Sequence, residues 1–300
     1  MVAKTKKILI TGAQGMLGQM LQNVFSNNYQ VLGLDIQGGN IIADISKKDD
    51  VIKEIIIARP DYIIHTAAFT DVDECEKDIT KAYLINRKGT KYVSLAAAEI
   101  NAVLIYLSTD YVFDGNKTSA YIEDDLPNPI NAYGRTKLAG EKAVQQNLDK
   151  YFIVRTSWLY GNHGKNFVSA ILSKAKSTRT IKVVTDQIGA PTYSLDLAEA
   201  INELIAIYET RQNDKKLFGI YNITNSGFCT WYDFAKEIVN YLKIRQVKII
   251  PITSQDLGRP ALRPKNSRLD NTKYNRLSNK PLPSWEKALE SYLSLRLYSA

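Results

Sequence analysis

Tyr133 and Lys137 stand four residues apart in Tyr133-Gly134-Arg135-Thr136-Lys137. On a helix that spacing puts both side chains on one face. A phenol is a weak acid, with an ordinary pKa of about 10, and a neighbouring ammonium lowers it by stabilising phenolate. Such a pair can pass a proton to or from a carbonyl or alcohol oxygen. Alone, the spacing describes a solvated helix face equally well. Upstream, Ser108-Thr109-Asp110-Tyr111 closes a long apolar run. A hydroxyl at the carboxyl end of a buried strand can hold the same oxygen. It can also be an ordinary turn or capping residue.

A third element sits near the start of the chain. Gly12-Ala13-Gln14-Gly15-Met16-Leu17-Gly18 follows the run Ile8-Leu9-Ile10-Thr11 and opens a helical pattern. Glycines there allow a tight turn and a close approach to the backbone, and the helix start can face a pyrophosphate. Asp35 ends the next apolar run, at the distance expected of a carboxylate that accepts from a ribose 2′-hydroxyl. Thr66-Ala67-Ala68-Phe69-Thr70 supplies small residues at a third strand end, where a cofactor can lie against the backbone. Asn86 opens a helical stretch and reads as its N-cap. His65 lies in an apolar strand and reads as structural.

These residues need a scaffold, and the pattern around them is repeated β-then-α. Strands are expected at 8–11, 31–35, 62–66, 103–108 and 152–155, and helices at 17–25, 51–58, 86–99 and 132–146. The strands are near-continuous apolar runs, which marks a parallel sheet covered on both faces and an α/β class. After Trp158 the pattern is mixed. Helices are expected at 166–176, 195–208, 231–242 and 284–295, and strands at 181–184, 219–223 and 247–252. The Pro- and Gly-rich stretch between the strand at 103–108 and the helix at 132–146 is a long connection, of the kind that often carries function.

With 300 residues the chain suits two domains of about 150 each. Its two cysteines, Cys75 and Cys229, form no CxxC, and its two histidines exclude a polyhistidine metal centre. The apolar start is too short for a signal segment, and no run is long enough to span a bilayer, so a cytoplasmic protein is expected. The net charge is +8, modest for nucleic-acid binding. Part of the excess crowds into Arg259, Arg263, Lys265, Arg268, Lys273 and Arg276. That run is either a solvated loop or a site for a phosphorylated small molecule.

The G-x-x-G-x-x-G spacing with Y-x-x-x-K resembles the extended short-chain dehydrogenase/reductases. The strings Ser108-Thr109-Asp110-Tyr111-Val112-Phe113-Asp114-Gly115, Asp186-Gln187-Ile188-Gly189-Ala190-Pro191-Thr192 and Arg263-Pro264-Lys265-Asn266-Ser267-Arg268-Leu269 narrow this. With them the chain resembles the dTDP-4-dehydrorhamnose reductase family over essentially its full length. The resemblance implies a Rossmann-type doubly wound parallel sheet with a smaller mixed α/β C-terminal substrate domain. Residues 1–157, with return segments near 194–225, would form the cofactor domain, and 158–193 and 226–300 the dTDP-sugar domain. It implies reduction of a C4 keto group with NADPH or NADH. Tyr133 would give the proton, Lys137 would hold the nicotinamide ribose, and Thr109 would bond the reacting oxygen. Gly12, Gln14, Gly15, Met16, Leu17, Gly18, Asp35, Asp44, Ile45, Ala67, Ala68 and Thr70 would hold the cofactor. Asp110, Tyr111, Trp158, Arg263 and Ser267 would meet the substrate, with Arg263 and its neighbours at its nucleotide end.

Two departures bear on these expectations. Magnesium-bridged dimers in the family use glutamates after the glycine loop and after the Pro-Thr string. This chain has Gln19-Met20 and Tyr193-Ser194-Leu195 there, so no structural metal is expected, and a monomer or weak dimer is. Asp35 should repel a 2′-phosphate, and Lys4, Lys6 and Lys7 are not placed to bind one, so the choice between NADPH and NADH stays open, with NADPH put first by the resemblance. Rival readings are an epimerase or reductase of another 4-keto sugar nucleotide, and a non-catalytic NADP-binding subunit resembling the β subunit of methionine adenosyltransferase. No nucleic-acid or membrane partner is expected.

Overall fold

The structure is a computed structural model that describes residues 5–211 and 214–298. Its first half alternates strand and helix: β1 (Lys7–Thr11), α1 (Met16–Phe25), β2 (Gln30–Asp35), β3 (Ile41–Ile42), α2 (Lys48–Ala58) and β4 (Tyr62–His65). Two short helices follow, α3 (Val72–Lys77) and α4 (Ile79–Tyr83), then a π-helical turn over Leu84–Gly89 that runs into α5 (Thr90–Glu99). Next come β5 (Val103–Thr109), the long connection, α6 (Ala132–Asn147) and β6 (Tyr151–Thr156).

The rest is mixed. It contains β7 (Leu159–Tyr160), α7 (Phe167–Ser177), β8 (Thr180–Val184), β9 (Ile188–Gly189), β10 (Thr192–Tyr193), α8 (Ser194–Thr210) and β11 (Gly219–Asn222). It ends with β12 (Cys229–Thr230), α9 (Trp231–Tyr241), β13 (Lys248–Ile252), α10 (Ser254–Leu257), α11 (Thr272–Ser278) and α12 (Trp285–Tyr298).

Seven parallel strands form the central sheet in the order β11-β6-β5-β4-β1-β2-β3. The order reverses at β1, so the carboxyl ends of β1 and β4 flank a crevice where ligands of such sheets bind. Alternation along each strand feeds two cores. Ile8, Ile10, Ile64 and Ile105 pack with Leu21 and Phe25 of α1 and Ile201 and Leu204 of α8. Leu9, Ile63 and Leu104 pack on the other face with Ile55 of α2, Val93 of α5 and Val144 of α6. Covered on both faces, the strands have no polar side to show, which is why they read as continuous apolar runs.

A third core lies beyond the sheet, around β8 paired with β13, where Ile171, Phe234, Ile238, Leu289 and Tyr292 meet. Tyr274 and Leu282, late in the sequence, pack into the sheet's core instead. Among the described residues no helix is long and apolar enough to cross a membrane, and no cluster of His, Cys, Asp or Glu is placed to hold a metal ion.

One stretch departs from the sequence reading. Asn86 does not cap a helix. It lies inside the π-helical turn, fully buried, with its side chain bonded to the Phe69 backbone N–H (2.8 Å), the Phe69 carbonyl (3.0 Å) and the Thr136 hydroxyl (3.0 Å). The helical run began earlier, in α3 and α4, each capped by an aspartate: Asp71 accepts from Asp73 and Glu74, and Asp78 from Lys81. Helices of five and six residues are too short to show a periodic apolar face.

Candidate active site

A cleft of about 710 Å3 opens along the carboxyl ends of β1, β2, β4, β5 and β6. Its floor at one end is the glycine loop. Gly12 takes φ +70°, a left-handed conformation suited to glycine, and a side chain there would strike the Ala67 backbone at 2.7 Å. Gly18 does not face the cleft. It lets α1 press on the loop, since a Cβ would sit 2.1 Å from the Gly12 carbonyl oxygen. No side chain caps the start of α1 at Gly15, and Met16 and Leu17 line the cleft. Uncapped first-turn N–H groups beside a cavity are a ready anion site.

Gln14, Asp35, Asp44, Ile45, Ala67, Ala68 and Thr70 also line this wall. The Asp35 carboxylate is fixed by the Gln14 backbone N–H (2.9 Å) and its neighbour Ile36 N–H (2.7 Å). These features fit a dinucleotide, with its phosphates on the loop and a ribose at Asp35.

At the other end the catalytic candidates converge. Thr109, Asp110 and Tyr111 descend from β5, Tyr133 and Lys137 rise from the first turns of α6, and all five line the cleft. The start of α6 is held from three sides. Asn131 accepts from the Gly134 N–H (2.8 Å) and donates to the Leu262 carbonyl (2.7 Å), while Glu76 of α3 accepts from the Ala132 N–H (2.7 Å). The rings of Tyr111 and Tyr133 meet edge to face at 6.0 Å.

Lys137 is buried, its Nζ donating to the Leu107 carbonyl (2.5 Å) and lying 4.2 Å from the centre of the Tyr106 ring. Burial lowers its pKa to about 7, partly offset by Glu141. Tyr133 differs from the sequence expectation. Its pKa lies above the ordinary value, because burial and the Asp110 charge outweigh the Thr109 hydrogen bond. The ammonium that was to lower it is instead engaged with a backbone carbonyl. Asp110 is pushed up to about 7 by burial, opposed by hydrogen bonds from Ser267 and Thr109. Its Oδ1 accepts from Thr109 Oγ1 at 3.0 Å, and its Oδ2 has no partner.

Behind these residues Ser108 is not free to meet a ligand. It donates to Glu141 (2.5 Å), which also forms a two-point pair with Arg155 at 3.0 and 2.8 Å, the pair being 1–2% exposed. His65 is buried between Thr11 (2.6 Å) and Thr90 (3.0 Å), and burial with the Lys137 charge lowers its pKa to about 3. It is a neutral structural residue, as the sequence suggested.

The far wall comes from distant segments. Trp158 lies flat on Trp231 of α9, ring centres 3.6 Å apart and 7° from parallel, and both line the cleft. Trp158 takes φ +46°, a strained value for a bulky residue. Lys165 also lines the cleft. Trp231 and Lys165 were not singled out in the sequence. Trp231 opens a helix behind a Thr230–Asp233 capping box, and nothing local says that its ring reaches a cleft built mainly by another part of the chain.

Arg263 and Ser267 lie behind the cleft wall rather than on it. Ser267 backs Asp110, and Arg263 bonds Asp73 (2.7 Å) and the Ala261 carbonyl (2.6 Å) while facing Tyr111. Nor does the C-terminal basic run form one phosphate patch. Arg259 joins Arg263 at Asp73, Arg268 binds Asn266 and the Thr118 carbonyl, and Lys273 binds the Ile220 carbonyl. Each spends donors on internal partners that hold the loops closed.

Comparison with known proteins agrees with this geometry. The family model described as RmlD substrate binding domain matches residues 6–297. A dTDP-4-dehydrorhamnose reductase of Aggregatibacter actinomycetemcomitans is 39% identical, over 95% of this chain and 97% of its own length. A spore coat polysaccharide biosynthesis protein of Bacillus subtilis is 37% identical, over 97% and 98%. The crystal structure of the Bacillus anthracis dTDP-4-dehydrorhamnose reductase with NADP superposes with a TM-score of 0.90 at 40% identity, covering 97% of this chain and all of that one. A Thermus thermophilus UDP-glucose 4-epimerase at 18% identity and TM-score 0.79 shares the fold. The chain belongs to the RmlD substrate binding domain family, among the dTDP-4-dehydrorhamnose reductases.

Proposed function

We propose that this protein reduces the C4 keto group of dTDP-4-dehydro-L-rhamnose to give dTDP-L-rhamnose. It is an NAD(P)H-dependent oxidoreductase of its family, and its cleft suits that task. The observation that carries the reading is the meeting of Thr109, Tyr133 and Lys137 in the same cleft as an uncapped helix start and a fixed Asp35.

When bound, NADPH or NADH supplies the hydride. The chain supplies the proton and the position. The substrate carbonyl accepts hydrogen bonds from Tyr133 Oη and, once its hydroxyl turns from Asp110 Oδ1, from Thr109 Oγ1. The Tyr133 proton is held firmly in the buried cleft, which suits a donor: the developing alkoxide is far more basic than a phenolate, so transfer runs downhill. Lys137 bonds the nicotinamide ribose from its seat on the Leu107 carbonyl. Asp110, with one free oxygen, and Tyr111 meet the sugar, and Trp158 covers it.

The test is loss of nicotinamide absorbance on adding dTDP-4-dehydro-L-rhamnose, with dTDP-L-rhamnose recovered as product. Tyr133→Phe should lower turnover by about a thousandfold while dinucleotide affinity stays within about threefold. Near-normal turnover in that variant removes the proton-donor assignment. No consumption by the wild type removes the substrate assignment.

A further inference from the structure

The Thr109 hydroxyl has one hydrogen to give and two lone pairs to fill. The Tyr111 backbone N–H fills one lone pair at 3.2 Å. Asp110 Oδ1 lies 3.0 Å away on a second side. The direction that remains is shared by Tyr133 and the cleft, which Thr109 lines. What Asp110 does on its side therefore decides what Thr109 shows to the cleft. An ionised carboxylate only accepts, so it takes the hydroxyl hydrogen and leaves a lone pair outward, which a carbonyl oxygen repels. A protonated carboxyl donates to the same oxygen, fills the second lone pair and turns the hydrogen outward.

The surroundings of Asp110 favour the protonated form. The residue is 3% exposed, and its Oδ2 has no partner. A buried carboxylate with an unsatisfied oxygen costs more than a neutral carboxyl in the same place. Among the described residues no cation pairs with it. Tyr111 and Tyr133 beside it are neutral phenols, held so by burial, and Cys75 of α3 packs near Tyr133 as a neutral thiol. Lys137, next on α6, is seated on the Leu107 carbonyl. From the C-terminal loop, Ser267 supplies a hydroxyl, and Arg263 is paired with Asp73 of α3 while facing Tyr111.

Resting on the reductase reading above, we propose that Asp110 is a positioning residue for the carbonyl: with its proton it makes Thr109 a donor to the substrate oxygen, and without it Thr109 becomes an acceptor and Tyr133 is left as the one donor. The Asp110 proton is not consumed. It stays on the carboxyl through turnover and sets the direction of a neighbour's hydrogen.

The pH profile of kcat/KM for the sugar nucleotide, at saturating dinucleotide, tests this. Asp110 titrates at about 7, so the wild type should lose activity above that pH, by about tenfold between about pH 7 and about pH 8.5. Asp110→Asn has no proton to lose, and its profile should be level through that range. Thr109→Ser should keep the wild-type fall, and Thr109→Val should lose it. Infrared difference spectra of the dinucleotide complex read the same proton without turnover. A carboxylic-acid C=O band should vanish from the wild type as pH rises and be missing from Asp110→Asn. Lys137 also titrates at about 7, so a fall that survives in Asp110→Asn belongs to Lys137 and overturns the proposal. A level wild-type profile, or no such band below pH 7, overturns it as well. Absence of turnover at every pH removes the reductase reading instead, and the infrared band still decides where the proton sits.

Discussion

The two walls of the cleft are built in different ways. The wall of β1, α1 and β2 is mostly backbone: a turn with Gly12 at φ +70°, uncapped helical N–H groups, and one carboxylate held by two N–H groups. The opposite wall is side chains from four places, Thr109–Tyr111, Tyr133, Trp158 and Trp231, brought together by the long connections. A backbone site needs only a local spacing of glycines and a short chain segment. A side-chain site needs the whole fold. The first suits a cofactor with a fixed phosphate geometry, and the second can be re-shaped for another sugar without disturbing the first.

The largest expected effect comes from cutting what holds the side-chain wall together. Glu141 sits on the catalytic helix and Arg155 on β6, three residues before Trp158, and their buried pair joins the two. Glu141→Gln strands the guanidinium and should cost about 3–5 kcal/mol of stability, read as a lower urea midpoint. Glu141→Leu with Arg155→Met should recover much of that loss. A single variant as stable as the wild type means that the pair is not the tie.

A smaller effect should fall on one wall alone. Trp231→Ala removes a stack worth about 1 kcal/mol beyond its buried area, so the sugar-nucleotide KM should rise by about tenfold. Dinucleotide affinity should not move, and Trp231→Phe should restore most of the loss. If cofactor binding falls in step with KM, the walls are not separable.

The smallest is a pH effect on the sugar side. In the folded chain Asp110 titrates at about 7, above the ordinary carboxylate range, because it is buried. Between the two values the native state keeps a proton that the unfolded chain has released. Wild-type stability therefore falls through this contribution as pH rises toward 7. Asp110→Asn has no such proton, so its stability relative to the wild type should improve from pH 5 to pH 8. A difference that stays flat across that range contradicts the assignment.

The same contrast explains what was legible. The strands at 8–11, 103–108 and 152–155 were readable because both faces are buried, and the loop at Gly12–Gly18 because its spacing is local. Tyr133 and Lys137 were readable as a pair on one helix face. Asn86 was misplaced because the two helices before it are too short for a period to show. Arg263 and Ser267 carried a family string that says nothing about depth, and they lie one layer behind the surface they were expected to form. Trp231 had no local signal, since its partner is Trp158, on the turn after β6.

The wall of β1, α1 and β2 is built from a stretch without basic residues, and this has a proteolytic consequence. Trypsin cuts after Lys and Arg, so between Lys7 and Lys47 it finds no site, folded or unfolded. The peptide Ile8–Lys47 leaves a complete digest in one piece, carrying the glycine loop, Asp35 and Asp44 together. A nucleotide photolabel or a hydrogen-exchange footprint on this wall would be reported by a single fragment, and limited trypsin nicking of the native protein must begin elsewhere in the chain.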